Sequence, residues 1–210
     1  VINEFNLGLT EREMTHKFNS VIYHAHGYHL IKQYSNKPVS SAHALVQFYG
    51  KRQNDPFDRA VQAYKDAINH EFFFHAIRTG ELVLPSKDAV IDKTIKDTCD
   101  FWSINLYTRE MVDTRKADTM GDRYAFTKTR MLPMNFYLDE FFPECMVHNL
   151  TRLMDKPVYI TENGCSCEDD DFRIVYLTEY LCALNEAIKA GVDVRGYLYW
   201  SLLDNYEWWT

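Results

Sequence analysis

The sequence predicts an α/β chain that forms part of a (β/α)8 TIM barrel, and three observations predict it. Short apolar runs alternate with long amphipathic stretches, as strands and helices do when they follow one another along a chain. The runs are apolar almost throughout, which marks strands covered on both faces, as in a parallel sheet sheathed by helices. The polar residues Glu4, Asn105, Tyr107, Glu162 and Glu207 stand at or just beyond the carboxyl ends of four different runs. A doubly wound open sheet meets the first two conditions but gathers its site at one switch point, typically beside a Gly-rich phosphate loop, and none of the eight glycines builds one. Drawing polar groups from many strands is what the top rim of a barrel does.

The elements follow in order. Residues 1–3 read as the end of a strand. Residues 16–34 carry Phe18, Val21, Ile22, Ala25 and the His29-Leu30 pair near helical spacing, and Lys37-Pro38 stops that helix. Residues 39–46 are a short strand. Asp55-Pro56 starts a second long helix over 57–78, which Gly80 ends. A shorter helix is expected over 88–98 and a strand over 101–106. Residues 113–134 are charged and aperiodic, and read as a long loop, usually a functional feature in a compact domain. A helix over 141–154 precedes a buried strand over 157–161 that runs into Glu162-Asn163-Gly164. The helix over 171–190 places Ile174, Leu177, Leu181, Leu184 and Ile188 on one face and stops at Gly191, and residues 196–202 form the last strand. Five strands against the eight of a closed barrel leave it incomplete, with the first strands missing. The chain opens without methionine inside a strand end and closes among aromatics, so it reads as one domain over 1–210, truncated at both ends.

Bulk composition narrows the function. A net charge of -7 with no basic stripe argues against nucleic-acid or membrane-surface partners and favours a small neutral or polar substrate. The five cysteines, at 99, 145, 165, 167 and 182, follow neither zinc-site spacing nor a disulfide framework, which suits structural thiols in a reducing, cytoplasmic compartment. No apolar run is long enough to span a bilayer. His24, His26 and His29 lack the spacing of helical metal ligands, so neither a metal nor another cofactor is expected. The pattern assigns no oligomeric state.

Hydrolysing a glycosidic bond with retention needs one carboxylic acid to protonate the leaving oxygen and one carboxylate to attack the sugar carbon, about 5 to 5.5 Å apart. Glutamates on two strand ends of one barrel can supply both. A glutamate at a strand end is by itself an ordinary solvated carboxylate, but Glu162 directly follows an apolar strand, at the rim of a core where burial and neighbours tune acidity.

Four blocks carry a specific resemblance. Tyr159-Ile160-Thr161-Glu162-Asn163-Gly164 resembles the nucleophile motif of the family-one glycoside hydrolases, the β-glucosidase and β-galactosidase group. Ile2-Asn3-Glu4 is similar to that family's acid/base motif, normally Asn-Glu-Pro, with Phe5 here in place of the proline. The segment from Asp100 to Thr108 is similar to its sixth-strand segment, and that from Gly196 to Trp208 to its eighth-strand signature, so the chain would hold strands four to eight with their helices. The resemblance implies Glu162 as nucleophile and Glu4 as acid/base. It implies that Tyr107 donates its hydroxyl to the nucleophile, with Asn105 supporting the same site. Asn3 would contact the sugar 2-hydroxyl, Trp200 would floor the sugar ring, and Glu207 with Trp208 would bind the far hydroxyls. A carboxylate at Glu207 suits a neutral sugar and repels a 6-phosphate. The segment 138–143 lacks the tryptophan often found on the leaving-group side. The same resemblance implies a Gln, an Arg and a His-Trp pair on strands outside this chain. A non-catalytic half-barrel that binds sugar or self-associates is the alternative from another class, and an enzyme acting mainly by transglycosylation is a third.

Overall fold

The computed structural model describes residues 10–85, 87–115, 140–203 and 205, so the strand expected at 1–3 and most of the loop expected at 113–134 lie outside the described residues. The described residues fall into two compact units, one within 1–41, 48–101 and 112–119 and the other within 42–47, 102–111 and 120–210.

In the first unit, helix α1 (Glu11–Tyr34) starts at a capping box: the Thr10 hydroxyl accepts from the Glu13 amide at 3.2 Å, and the Glu13 carboxylate accepts from the Thr10 amide at 2.7 Å. It begins before residue 16 because the cap, rather than an apolar face, holds its first turn. Phe18, Val21 and Ala25 are buried as expected, while Leu30 is exposed. Asp55 caps helix α2 (Pro56–Asp66) by accepting from the amides of Phe57 and Asp58. The single helix expected over 57–78 is interrupted by a π turn (Ala67–Glu71) before α3 (Phe72–Thr79). His70 in that turn is buried and stacks on Phe48, and Phe72 stacks on Phe18 from α1. Gly80 ends α3 at φ 79°, where an added Cβ would lie 2.9 Å from the Asp92 carbonyl oxygen.

The helix expected over 88–98 is not formed. A two-stranded hairpin takes its place, β3 (Glu81–Leu82) running antiparallel to β4 (Val90–Ile91). The β-branched pair at 90–91 suits a strand. The Asp92 carboxylate then accepts from both the amide and the hydroxyl of Thr94, at 2.9 and 2.7 Å, which offers the backbone a turn in place of a helix.

The same unit holds a buried ionic network. Asp58 is fully buried and accepts from the Arg52 amide and guanidinium and from the amide and hydroxyl of Thr114. Arg52 also pairs with Asp113 at 2.5 Å, and Lys51 reaches the other Asp113 oxygen at 3.1 Å.

The second unit is built on a four-stranded sheet, all parallel, in the order β1 (Ala42–Ala44), β5 (Trp102–Asn105), β7 (Val158–Asn163), β8 (Val194–Tyr199). Trp102, Ile104, Val158 and Ile160 are fully buried, as continuous apolar strands require. The run expected as one strand over 39–46 yields only β1, with β2 (Gln47–Gly50) after it. The expectation also missed β6 (Arg109–Val112). The last strand lies at 194–199, not 196–202.

Two helices of this unit differ from expectation. Helix α4 (Cys145–Leu150) and its 3-10 extension (Thr151–Leu153) start later than residue 141, since the Phe142 amide is engaged by the Tyr180 hydroxyl. Helix α5 (Asp170–Lys189), capped by Asp169, spans the predicted range but turns a different face inward. Tyr176, Tyr180, Leu184 and Ala187 are buried, while Ile174, Leu181 and Ile188 are exposed. Polar groups at the ends of β5 and β7 need hydrogen-bond partners, and tyrosines provide them where leucines cannot. All five cysteines are free thiols. No described helix is long and apolar enough to cross a membrane.

Burial alone would raise the Asp113 carboxyl, but hydrogen bonds from Arg52, Lys51 and the Arg115 amide overcome it and bring the pKa down to about 2. A depressed carboxyl stabilises the fold above its unfolded-state pKa and loses that contribution as pH falls through the folded-state value. The urea midpoint should therefore drop between pH 4 and 2, and Asp113→Asn should flatten that part of the profile, as read by circular dichroism; an unchanged slope would remove Asp113 from the acid response.

Candidate active site

Glu162 is the penultimate residue of β7, where the strand pairing is irregular on both sides. The register against β5 shifts between Ile104 and Asn105, and that against β8 shifts between Ile160 and Asn163. Such irregularities break the strict alternation of a strand and re-aim side chains. Two consecutive residues thereby meet polar partners from the β5 end. The Thr161 hydroxyl donates to Asn105 Oδ1 at 2.7 Å and accepts from the Ser103 hydroxyl at 3.1 Å. The Tyr107 hydroxyl donates to Glu162 Oε2 at 2.8 Å.

Of the residues the sequence singled out, the structure thus joins Tyr107 to Glu162 directly. Asn105 faces Glu162 in register and is tied to β7 through Thr161. Trp200 follows β8, is 42 % exposed, and donates its amide to the Asn163 carbonyl at 2.9 Å. Asn3, Glu4, Glu207 and Trp208 lie outside the described residues.

The sequence reading gave no role to Asn163, which proves to be the polar centre of the unit. It is fully buried, and its amide nitrogen donates to the Leu106 carbonyl at 2.7 Å and to the Tyr176 hydroxyl at 3.1 Å. Its amide oxygen accepts from the Tyr197 hydroxyl at 2.7 Å. One side chain thus ties β7 to the segment after β5, to β8 and to α5. Asn163 sits inside the quoted motif block, so position in the motif was the available signal; its burial was not. Tyr176 and Tyr180 stack with centroids 4.2 Å apart, and their spacing of four on a helix was the signal for them.

Gly164 is required by a close approach. A Cβ there would lie 1.9 Å from the Trp200 carbonyl oxygen, so only glycine lets the chain leaving β7 pass the end of β8. The Trp200-Ser201 peptide is cis. Beyond Gly164, the Cys165 and Cys167 sulfurs lie 3.6 Å apart. Burial, followed by the neighbouring Cys167, pushes the Cys165 thiol up to about 12. Burial also raises Tyr176, Tyr197 and Tyr199, the last to about 12, which keeps these phenols neutral around the site. Among the described residues no group of three or more His, Cys, Asp or Glu side chains is arranged to hold a metal.

A carboxylate on a parallel strand end, held by a tyrosine hydroxyl, agrees with a wider match. The family model of Glycosyl hydrolase family 1 matches residues 9–210. The chain belongs to that family. It is 32% identical over 202 residues to a beta-galactosidase of Sulfolobus acidocaldarius and 35% identical over 201 residues to one of Saccharolobus solfataricus, covering 91% of this chain and 40% of each relative. It is 26% identical over 240 residues to a 6-phospho-beta-galactosidase of Streptococcus mutans, covering 90% of this chain and 51% of that relative. The crystal structure of the hyperthermophilic beta-glucosidase from Pyrococcus furiosus matches with a TM-score of 0.70 at 29% identity, covering 91% of this chain and 39% of that one. This family-one chain therefore spans about 40% of the length of the two beta-galactosidases, and its parallel α/β unit is consistent with part of the barrel of the solved family-one structures it resembles.

Gly164→Ala should lower stability by about 3 kcal/mol, the scale of an overpacked site with backbone on the far side of the clash. Urea unfolding followed by circular dichroism measures it, and a loss below about 0.5 kcal/mol would show that the β7 and β8 ends separate at little cost.

Proposed function

We propose that the protein carrying this chain is a retaining β-glycosidase of the β-glucosidase type, acting on a terminal, non-phosphorylated β-D-glycosyl residue by double displacement. The observation that carries the proposal is the hydrogen bond from Tyr107 to Glu162 at the end of a parallel strand. A carboxylate at that rim, held in one orientation, is prepared to attack an anomeric carbon. In this reading Glu162 forms the glycosyl-enzyme while Glu4 protonates the departing oxygen. Glu4 then takes a proton from the water that releases the sugar. Tyr107 holds one carboxylate oxygen and so fixes the orientation of the group. Asn105 supports it through Thr161. Asn3 binds the 2-hydroxyl, Trp200 floors the ring from its exposed position after β8, and Glu207 with Trp208 grips the distal hydroxyls and disfavours a 6-phosphate. Residues 1–210 form one incomplete catalytic barrel, contributing strands four to eight, in a cytoplasmic enzyme that takes a small glycoside and needs no cofactor.

A second reading rests on the exposed apolar residues at the end of β8. Leu198, Leu202 and Leu203 are 53%, 93% and 76% exposed, and a surface of that kind also suits a non-catalytic half-barrel that binds sugar or pairs with another copy.

Nitrophenyl β-glucoside, β-galactoside and their 6-phosphates distinguish these readings. Glu162→Ala should abolish turnover of the unphosphorylated glycosides, Glu4→Ala should slow the glycosylation step, and Tyr107→Phe should lower kcat by about 10 to 100-fold, the scale of losing one oriented donor. Full activity in Glu162→Ala would sink the assignment, and a soluble, inactive oligomer on size exclusion would favour the half-barrel.

A further inference from the structure

Tyr107 acts on Glu162 only as well as its own backbone is held, and residues 106–109 are held at every position. The Leu106 carbonyl accepts from buried Asn163 at 2.7 Å. The Tyr107 carbonyl accepts from the Tyr180 hydroxyl of α5. The Thr108 hydroxyl donates to the Glu140 carbonyl at 2.7 Å. Arg109 makes a two-pronged ion pair with the Glu140 carboxylate, at 2.7 and 2.8 Å, and its guanidinium lies 3.9 Å from the Phe142 ring centroid. Glu140 is 1 % exposed, so this pair is shielded from water and salt.

Tyr180 sits at the junction of these contacts. Its hydroxyl donates to Tyr107 and accepts from the Phe142 amide at 3.3 Å, while its ring stacks on Tyr176, whose own hydroxyl meets Asn163. It is fully buried. The geometry points to Tyr180 as a positioning residue for the reaction: from α5 it fixes the Tyr107 backbone, and through it the hydroxyl that orients Glu162. This deepens the functional reading above and rests on it for the word reaction, but the mechanical link stands on the contacts alone.

Tyr180→Phe removes one hydroxyl and keeps the ring stack. The 13C carboxyl resonance of Glu162, assigned through Glu162→Gln in glutamate-labelled protein, reports the Tyr107 hydrogen bond without requiring turnover. Tyr180→Phe should move that resonance part of the way towards its position in Tyr107→Phe, and the double variant should match Tyr107→Phe alone. In turnover, kcat should fall about 3 to 10-fold with KM little changed, because the substrate's own contacts are untouched. A resonance that stays put, or that moves equally in the Tyr107→Phe background, would overturn the proposal by showing that Tyr180 only stabilises the fold. If Tyr180→Phe fails to fold, Glu140→Gln tests the same link from the other side of the segment, with the same resonance expected to move. Absence of β-glycoside hydrolysis in the parent protein would overturn the functional reading, while the resonance would still decide the mechanical link.

Discussion

A fully buried side-chain amide must find all its hydrogen bonds inside the protein, and Asn163 finds them on three different elements. An unmet donor or acceptor there costs about 1 to 3 kcal/mol, a large fraction of a domain's net stability. The segment after β5, strand β8 and helix α5 therefore have one satisfactory arrangement around the end of β7. Glu162 is the residue next to Asn163 and inherits that placement. Its half-buried carboxylate lies at the rim because its neighbour is pinned in the core.

The groups around this centre are phenols, hydroxyls and amides rather than charges. Burial raises Tyr176, Tyr197 and Tyr199, so they remain neutral donors around neutral pH. A neutral network can hold a carboxylate without cancelling its charge. The charged pair Arg109 and Glu140 lies on the neighbouring stretch, where it fixes backbone. In the first unit the charges serve structure more directly: Arg52 closes a loop on Asp55, Asp58 and Asp113, whose hydrogen bonds satisfy loop amides that no strand would reach.

Much of the second unit was legible because its strands are nearly pure apolar runs and its polar residues cluster where those runs stop. The β7 block and the stop at Gly191 followed from local patterns. The failures share a cause. Residues 88–98 have helix-compatible spacing, yet Val90 and Ile91 pair with Glu81 and Leu82, a partner that spacing within the segment does not reveal. On α5 the aliphatic stripe looks like the inner face by hydropathy, yet Tyr176 and Tyr180 occupy it because the sheet end presents polar groups to be met. Three of the four motif blocks, at 100–108, 159–164 and 196–208, lie within residues 9–210, which the family model matches, and a resemblance carried by motif residues is untouched by such errors in element bounds.

By itself the sequence determined the parallel α/β class and the order of its main strands and helices, and it singled out Glu162, Tyr107 and Asn105 as candidates. The class and the order depend on composition and short-range periodicity, and the candidate residues on the family resemblance of the motif blocks that hold them. The contact of Tyr107 with Glu162, which the resemblance implied, is present at 2.8 Å; only the tertiary structure decided that Asn163 anchors that strand end and that Tyr180 holds Tyr107 from a helix 73 residues further along. Hydrogen bonds between distant residues are set by which polar groups folding removes from water, and that is known only once the elements have packed.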